Sequence, residues 1–535
     1  MSKNTTVLIV GAGPSGLMMA CQLARFNIQF RIIDKNEDHT TQSRALVVQA
    51  RSLEIFDQMG LAKEALEQGQ IATGVGAFFN GKKLVKMTIK DMGRGLTKFP
   101  YVLMLEQYKT EKILSEFLKS RGHEVERKTE LISLTQDAKE VRAVIKNSLG
   151  KEEIITAQYV VGADGAHSIV RHQLGIPFGG TTYPQSMFVT DCKIDAKFSP
   201  EEMYLSFTDN ALTGFFPMTN GRYRVLGTIP KELEGKDEIA FADIAKNFSQ
   251  RVHMDIHIHD SQWISLYHSH HRYAATFRQN RCFLTGDAAH IHSPVGGQGM
   301  NTGLQDAYNL AWKLAFVLQK KADEKLLDTY TDERIGVAKA LVQSTDRVFS
   351  FITNGNIFIK TVRLHLLPLL LGMVMPFVIK QQSLREQMFQ GVSEIGIHYP
   401  HSALSENASL GVFPENAPKP GDRVPYILFK DAKGKEINIQ EYIIGTTLHI
   451  LYFPGSNELH TKKLTEVLEK YKQLITFTLI PFTAETENMY KIFGVGQGGY
   501  YVIRPDMYIG YRNNTVDIKH FQKYLSQNLH SVKLL

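Results

Sequence analysis

The sequence predicts an α/β protein in which a parallel-stranded unit is interleaved with a β-rich unit and followed by a third, compact α/β unit. Three observations predict it. The chain opens as a buried strand, a glycine-rich turn, a helix and a second strand within residues 5–34. Between 185 and 276 the texture changes to short apolar runs separated by hairpin signals. Beyond Pro414, Pro418 and Pro420 a new alternation of strand and helix begins. At about 100–200 residues per domain, a chain of 535 residues accommodates three to five such units, or fewer large ones.

Each element has its own signal. Residues 5–10 are an apolar, β-branched run, the pattern of a strand buried on both faces. After the turn from Gly11 to Gly16, Leu17, Ala20, Leu23 and Ala24 recur at helical spacing. Asn27 stands where a helix C-cap favours a left-handed residue. Residues 30–34 form a second strand, and 140–146 with 154–162 a hairpin that ends in a buried strand. In the β-rich stretch, 203–208 and 212–218 are short strands, and Asn220-Gly221 marks a tight hairpin into 223–229. Leu304, Ala307, Leu310, Leu314 and Val317 put one stripe on a long helix over 299–319, and helices continue to about 388. Past the prolines come strand 447–453, helix 462–472 and strands 477–481 and 500–504. The expected units are 1–74 with 101–184 and 277–400, then 75–100 with 185–276, a linker over 401–418, and 419–535.

Composition narrows the function. Hydrophobic residues at 43% and charged residues at 21% exclude wholesale disorder. A net charge of +7 without a run of five like charges speaks against a nucleic-acid surface, while leaving room for anionic ligands. Three unrelated cysteines, Cys21, Cys192 and Cys282, exclude a disulfide framework, a cysteine zinc site and a CxxC dithiol, and indicate a reducing, cytoplasmic setting. The most apolar stretch, 364–379, falls short of the ~20 residues of a spanning helix and is interrupted by Pro368 and Pro376. It reads as a buried or interface helix pair rather than a membrane contact.

The strongest local signal is Gly11-Ala-Gly13-Pro14-Ser15-Gly16. Gly11 permits the tight turn, Gly13 lets a pyrophosphate approach the backbone, and Gly16 lets helix and strand pack closely. The helix N-terminus that follows faces the anion. Asp34, with Lys35 beside it, ends the next strand where an acid accepts from a ribose hydroxyl. This is a Rossmann-like dinucleotide site, and it does not by itself separate NAD from FAD.

Two further segments do. Gly162-Ala-Asp164-Gly165-Ala-His-Ser168-Ile-Val-Arg171 follows one buried strand. Gly286-Asp287-Ala-Ala-His290-Ile-His-Ser-Pro294-Val-Gly296-Gly297-Gln298-Gly299-Met300-Asn301 follows another, at 282–285. With these three signatures in order, roughly the first 400 residues resemble the class A flavoprotein monooxygenases, the FAD-dependent aromatic-ring hydroxylases. The tail from about Lys419, above all Tyr501-Val-Ile-Arg504-Pro505-Asp506-Met-Tyr-Ile-Gly-Tyr511-Arg512, resembles the thioredoxin-like C-terminal domain of the longer branch, which includes phenol hydroxylase and the polyketide hydroxylases. The resemblance implies a Rossmann-like FAD-binding domain interleaved with a β-sheet substrate domain. No cysteine follows Cys282, so thiol–disulfide exchange is impossible in the tail, and a structural or interface role is expected there.

The same resemblance implies roles. Asp287, after Gly286, bonds the ribityl chain of FAD. Asp164 and Gly165 sit near the pyrophosphate and the path of the nicotinamide cofactor. Arg44 contacts the flavin, with Arg51 as an alternative, and Gln107 contacts the cofactor backbone. Gly297, Gly299, Met300 and Asn301 open a helix whose unpaired amides favour the anionic N1/O2 edge of reduced flavin. The Pro294 carbonyl is the candidate substrate contact. NADH or NADPH reduces FAD, molecular oxygen adds at flavin C4a, and the hydroperoxide passes an oxygen to an electron-rich ring, shielded from water. Phe207, Phe215, Phe216 and Met218 are candidate pocket residues or ordinary sheet core.

Other features carry less. Gly494-Val-Gly-Gln-Gly-Gly499 reads as a loop, and no second fingerprint marks a separate NAD(P)H domain. His253, His257, His259, His268, His270 and His271 lack carboxylate or thiolate neighbours at ligand spacing, so no metal site is expected. Trp263 and Trp312 are the only tryptophans, which excludes a WxWxIP halogenase box, and the cysteines exclude a disulfide reductase. Expected partners are a small aromatic substrate, a simple phenol or a polycyclic polyketide, and a second copy of the chain. The rival readings are a flavin-binding sensor or scaffold acting through the tail, and a membrane-associated quinone-type hydroxylase.

Overall fold

Residues 4–10 form a strand because Val7, Leu8 and Ile9 are apolar on both pleat faces and are fully buried there. The computed structural model describes residues 4–40, 45–209, 212–236, 238–293, 295–353, 356–408, 413–430, 434–455, 458–515 and 517–529. The Asn4–Val10 strand pairs in parallel with Phe30–Ile33 on one side and Glu152–Gly162 on the other, and Glu152–Gly162 pairs in parallel with Cys282–Leu284. The strands Glu130–Gln136 and Val141–Lys146 extend this sheet as antiparallel neighbours of Glu152–Gly162. The Pro14–Arg25 helix packs against both the Gly299–Leu318 and the Gln107–Lys119 helices. Asn27 has φ 55°, the left-handed C-cap that its position predicts.

A nine-stranded sheet forms the second layer. Its order is His290–Ile291, Ile264–Ala274, Phe178–Asp195, Arg222–Thr228, Leu212–Pro217, Glu202–Phe207, Gly74–Phe79 and Lys82–Thr88, with His257–His259 beside Phe178–Asp195. Asn220 and Gly221, with φ 61° and 66°, make the hairpin turn between two of its strands. His257 and His259 stack on one another, and His270 Nδ1 lies 2.8 Å from the Thr182 hydroxyl. No group of three potential metal ligands occurs among the described residues.

The C-terminal segment carries a five-stranded sheet ordered Glu406–Asn407, Ile509–Asn513, Gly499–Ile503, Leu448–Phe453 and Ile475–Leu479. The Glu458–Lys470 helix connects the parallel pair Leu448–Phe453 and Ile475–Leu479. This segment is bolted to the rest by buried charge. Arg504 donates to both Glu333 oxygens at 2.6 and 2.9 Å, and Lys313 donates to the same carboxylate at 2.8 Å. Burial alone would raise the Glu333 carboxyl, but Arg504 and Lys313 outweigh it and hold it far below its ordinary value. Tyr308 donates to the Pro505 carbonyl at 3.1 Å, and Arg51 to the Asp506 carbonyl at 2.8 Å.

The apolar stretch 364–379, expected as a buried or interface helix pair, is buried on one face only. The helix runs Ile357–Thr361, widens to a π-turn over Val362–Leu366, and continues as Leu367–Lys380. The π-turn stands directly before Pro368, which has no amide to continue the ladder. Leu364 is buried and Leu371 partly buried against Ala77, Phe79 and Val85 of the nine-stranded sheet, while the opposite face of the helix is exposed.

Candidate active site

The three glycine-bearing segments begin at the carboxyl ends of three adjacent parallel strands, where ligands bind in open α/β sheets. Backbone bonds stitch them in order: the Gly11 amide to the Ile33 carbonyl at 2.8 Å, Ala163 to Val10 at 2.7 Å, and Thr285 to Gly162 at 3.0 Å. Gly11 has φ 100°, and a Cβ there would run into the Ala163 carbonyl; one on Gly16 would run into the Gly11 carbonyl. Gly13 differs: a Cβ on it meets nothing within 4 Å. It caps the Pro14–Arg25 helix without a side-chain acceptor, so the first amides look into open space.

The third segment reaches the first through Ser15. Its hydroxyl fills the space that a Cβ on Gly286 or on Gly303 would need. Asp306, fully buried one turn further along the Gly299–Leu318 helix, accepts from the Gly286 amide at 3.1 Å, from His290 Nε2 at 2.7 Å and from Arg334 Nε at 2.7 Å. Burial would raise its carboxyl, but Arg334 and His290 hold it below its ordinary value. Neither Asp306 nor Arg334 was singled out in the sequence. The available signal was that Asp306 is the one acidic residue in the 299–319 helix.

The predicted site residues fall into two groups. Gly11, Gly13, Pro14, Ser15, Gly16, Gly286, Asp287, Gly297, Gly299 and Met300 gather around the strand ends and the start of the long helix. Asp287 is exposed on the Gly286–Ala288 turn, and Lys35 is exposed beyond Asp34. Others hold backbone. Asp34 accepts from the Ala12 amide at 2.7 Å and the Asn36 amide at 2.8 Å, fixing the glycine turn while lone pairs remain for a hydroxyl. Asp164 caps the Ile169–Gln173 helix through the Ile169 amide at 2.7 Å, and burial raises its carboxyl. Asn301 donates to the Val47 and Gly297 carbonyls at 2.9 and 2.8 Å and accepts from the Gln49 amide at 2.8 Å. Gln107 accepts from the Ala45 amide at 3.2 Å. Segment 45–49 is thereby strapped against the glycine run, where a Cβ on Gly297 would meet Val47 at 2.7 Å. Arg44 and Pro294 lie outside the described residues. Arg51 does not stand in for Arg44: it is buried against Glu54 and Asp506, toward the C-terminal segment.

The proposed pocket aromatics separate. Phe215 belongs to the sheet core with Phe188 and Tyr204, and Phe207 stacks on Phe79 at 5.0 Å. Phe216 and Met218 are on the other face, packed toward Leu46, Val47 and Met104. At the same mouth, His292 Nδ1 donates to the Ser293 carbonyl at 2.7 Å. Burial and the neighbouring His290 push the His292 ring down to about 4, so it is neutral. Its Nε2 is buried without a protein partner among the described residues, 3.1 Å from where a Cβ on Gly299 would sit. Two uncapped helix starts, an empty approach at Gly13 and an unpartnered acceptor facing Gly299 suit a long anionic cofactor with polar edges.

Residues 4–345 match the family described as FAD binding domain. The chain belongs to the class A FAD-dependent aromatic hydroxylases. It is 31% identical over 526 residues to the 6-methylpretetramide 4-monooxygenase of Streptomyces rimosus, covering 96% of this chain and 92% of that one. The rifampicin monooxygenase of Streptomyces venezuelae is 37% identical over 346 residues, 63% of this chain and 70% of its own. Among solved structures, the OxyS anhydrotetracycline hydroxylase of Streptomyces rimosus superposes with a TM-score of 0.77 at 25% identity over 98% of this hydroxylase and 99% of OxyS. This hydroxylase is an FAD-dependent, NAD(P)H-consuming monooxygenase.

Proposed function

We propose that the enzyme hydroxylates a fused-ring phenolic substrate of the polyketide kind. The observation that carries this is the match, along nearly the whole length of both chains, to a monooxygenase named for such a compound. When bound, FAD supplies hydride acceptance from NAD(P)H and the activation of oxygen. The chain's residues bind and orient. The amides after Gly13 hold the pyrophosphate, Asp34 and Lys35 the ribose end, and Asp287 the ribityl chain. The amides of Gly299 and Met300 favour negative charge at the flavin edge. Asn301 and Gln107 act as positioning residues through segment 45–49. Phe216 and Met218, on the sheet face turned to that segment, keep water from the reacting ring.

The C-terminal segment we infer to be thioredoxin-like. Its support is the strand order with a helical crossover between the parallel pair Leu448–Phe453 and Ile475–Leu479, followed by the antiparallel strands Gly499–Ile503 and Ile509–Asn513 and the Ile518–Asn528 helix. Three buried, unpaired cysteines support a cytoplasmic setting.

The test is NAD(P)H oxidation by the FAD-loaded enzyme with a fused-ring phenol such as anhydrotetracycline, beside a single-ring chlorophenol. The fused-ring compound should accelerate flavin reduction and gain the mass of one oxygen. Turnover of the single-ring phenol alone overturns the substrate class.

A further inference from the structure

The Leu367–Lys380 helix and the turn before it carry two apolar faces. Leu364, Pro368 and Leu371 lie on the face turned toward the nine-stranded sheet. Leu366, Leu369, Leu370, Met373, Val374 and Phe377 follow at helical spacing on the opposite face, with Leu369 65%, Met373 68% and Phe377 63% exposed. Phe358 extends the patch toward the start of the helix. Exposed apolar side chains are ordinary when scattered singly; six in one continuous stripe mark an interaction surface.

The charges around the stripe say what it meets. Residues 357–380 contain Lys360 and Lys380, a buried Arg363 that donates to the Phe351 carbonyl, and no acidic residue. The Lys82–Thr88 strand, on which the helix packs, adds exposed Lys82, whose register partner Phe79 lies on the helix side of the sheet. Asp209 pairs with Lys360 at 3.2 Å, whereas Lys83 and Lys86 pair with Glu202 on the sheet's other face. Arg385 and Glu386 on the next helix balance one another. In a two-fold contact between copies, the same cationic rim would meet itself. An anionic bilayer surface matches both the apolar stripe and its rim.

We propose that this helix lies on the surface of an anionic membrane, its outward stripe in the acyl boundary and its cationic rim among the headgroups. The Phe358–Met375 run is long and apolar enough to cross a bilayer by length and composition. Crossing would require it to leave the sheet against which Leu364 and Leu371 pack, so the helix rests on the membrane rather than spanning it.

Flotation of the FAD-loaded full chain with phosphatidylcholine vesicles, with and without phosphatidylglycerol, tests this. The protein should float with the anionic vesicles, less with neutral ones, and less as salt is raised. Leu369→Ser, Met373→Ser and Phe377→Ser together should lower the bound fraction at least about tenfold, with flavin absorbance and circular dichroism unchanged. Failure of the wild type to float, or equal flotation of the triple variant, overturns the proposal. A wild-type dimer that the triple variant converts to monomer, without vesicle binding by either, assigns the stripe to a second copy and overturns it as well.

Discussion

Asp306 and Gly286 are joined directly. One Asp306 oxygen accepts both the Gly286 amide and His290 Nε2, while the other takes Arg334 Nε. The turn that carries Asp287 is thereby fixed to the helix that opens at the glycine run. Asp306→Asn leaves Arg334 charged, buried and short of its partner, a change that costs about 3–5 kcal/mol. Denaturant unfolding should show that loss, and equilibrium dialysis should show weaker FAD binding. Wild-type values for both would contradict the arrangement.

Gly11 and Gly13 should respond differently to one added methyl group. Gly11→Ala forces a Cβ into the Ala163 backbone at a left-handed φ, so both stability and flavin content should fall. Gly13→Ala places its Cβ in open space. Its unfolding curve should match the wild type while FAD dissociates faster, if that space takes the pyrophosphate as proposed. Thermal unfolding of the two apoproteins, with flavin fluorescence of the holoproteins, separates the cases.

Glu394 gives a pH prediction. Burial lifts its carboxyl from the ordinary 4.5 to about 8, only partly offset by hydrogen bonds from Thr302 and Gln305. Between those values the folded chain holds a proton that the unfolded chain has released. Its contribution is therefore full below about 4.5 and is lost as pH rises toward about 8. Glu394→Gln should remove a dependence on the order of a few kcal/mol across that window. Urea unfolding of both proteins at a series of pH values measures it; parallel curves would refute it.

The parts legible in the sequence are those written locally. The glycine fingerprint, the two later signatures and the strands before them are contiguous patterns, and the fold brings them to neighbouring strand ends. The clamps are not local. Asp306 with Arg334, and Glu333 with Lys313 and Arg504, join residues far apart in the chain, and only the packed helices reveal the pairs. Asn301 and Gln107 have the polar type of a cofactor contact, but in the fold their amides hold segment 45–49. At 364–379, hydrophobicity announced a buried or interface helix pair. The helix is apolar on two faces, and the sheet covers one.

The Gly299–Leu318 helix begins at the glycine run, ties down the Gly286 turn at Asp306, offers Tyr308 and Asn309 to the Arg504–Asp506 loop of the tail, and through Lys313 holds Glu333, which takes Arg504. One rod therefore serves as floor for the catalytic end and as socket for the C-terminal sheet. Tails cannot be traded between such hydroxylases as interchangeable cassettes. A chimera has to carry the matching socket residues, Glu333 included, or it arrives with Arg504 and Asp506 in the interior without their partners.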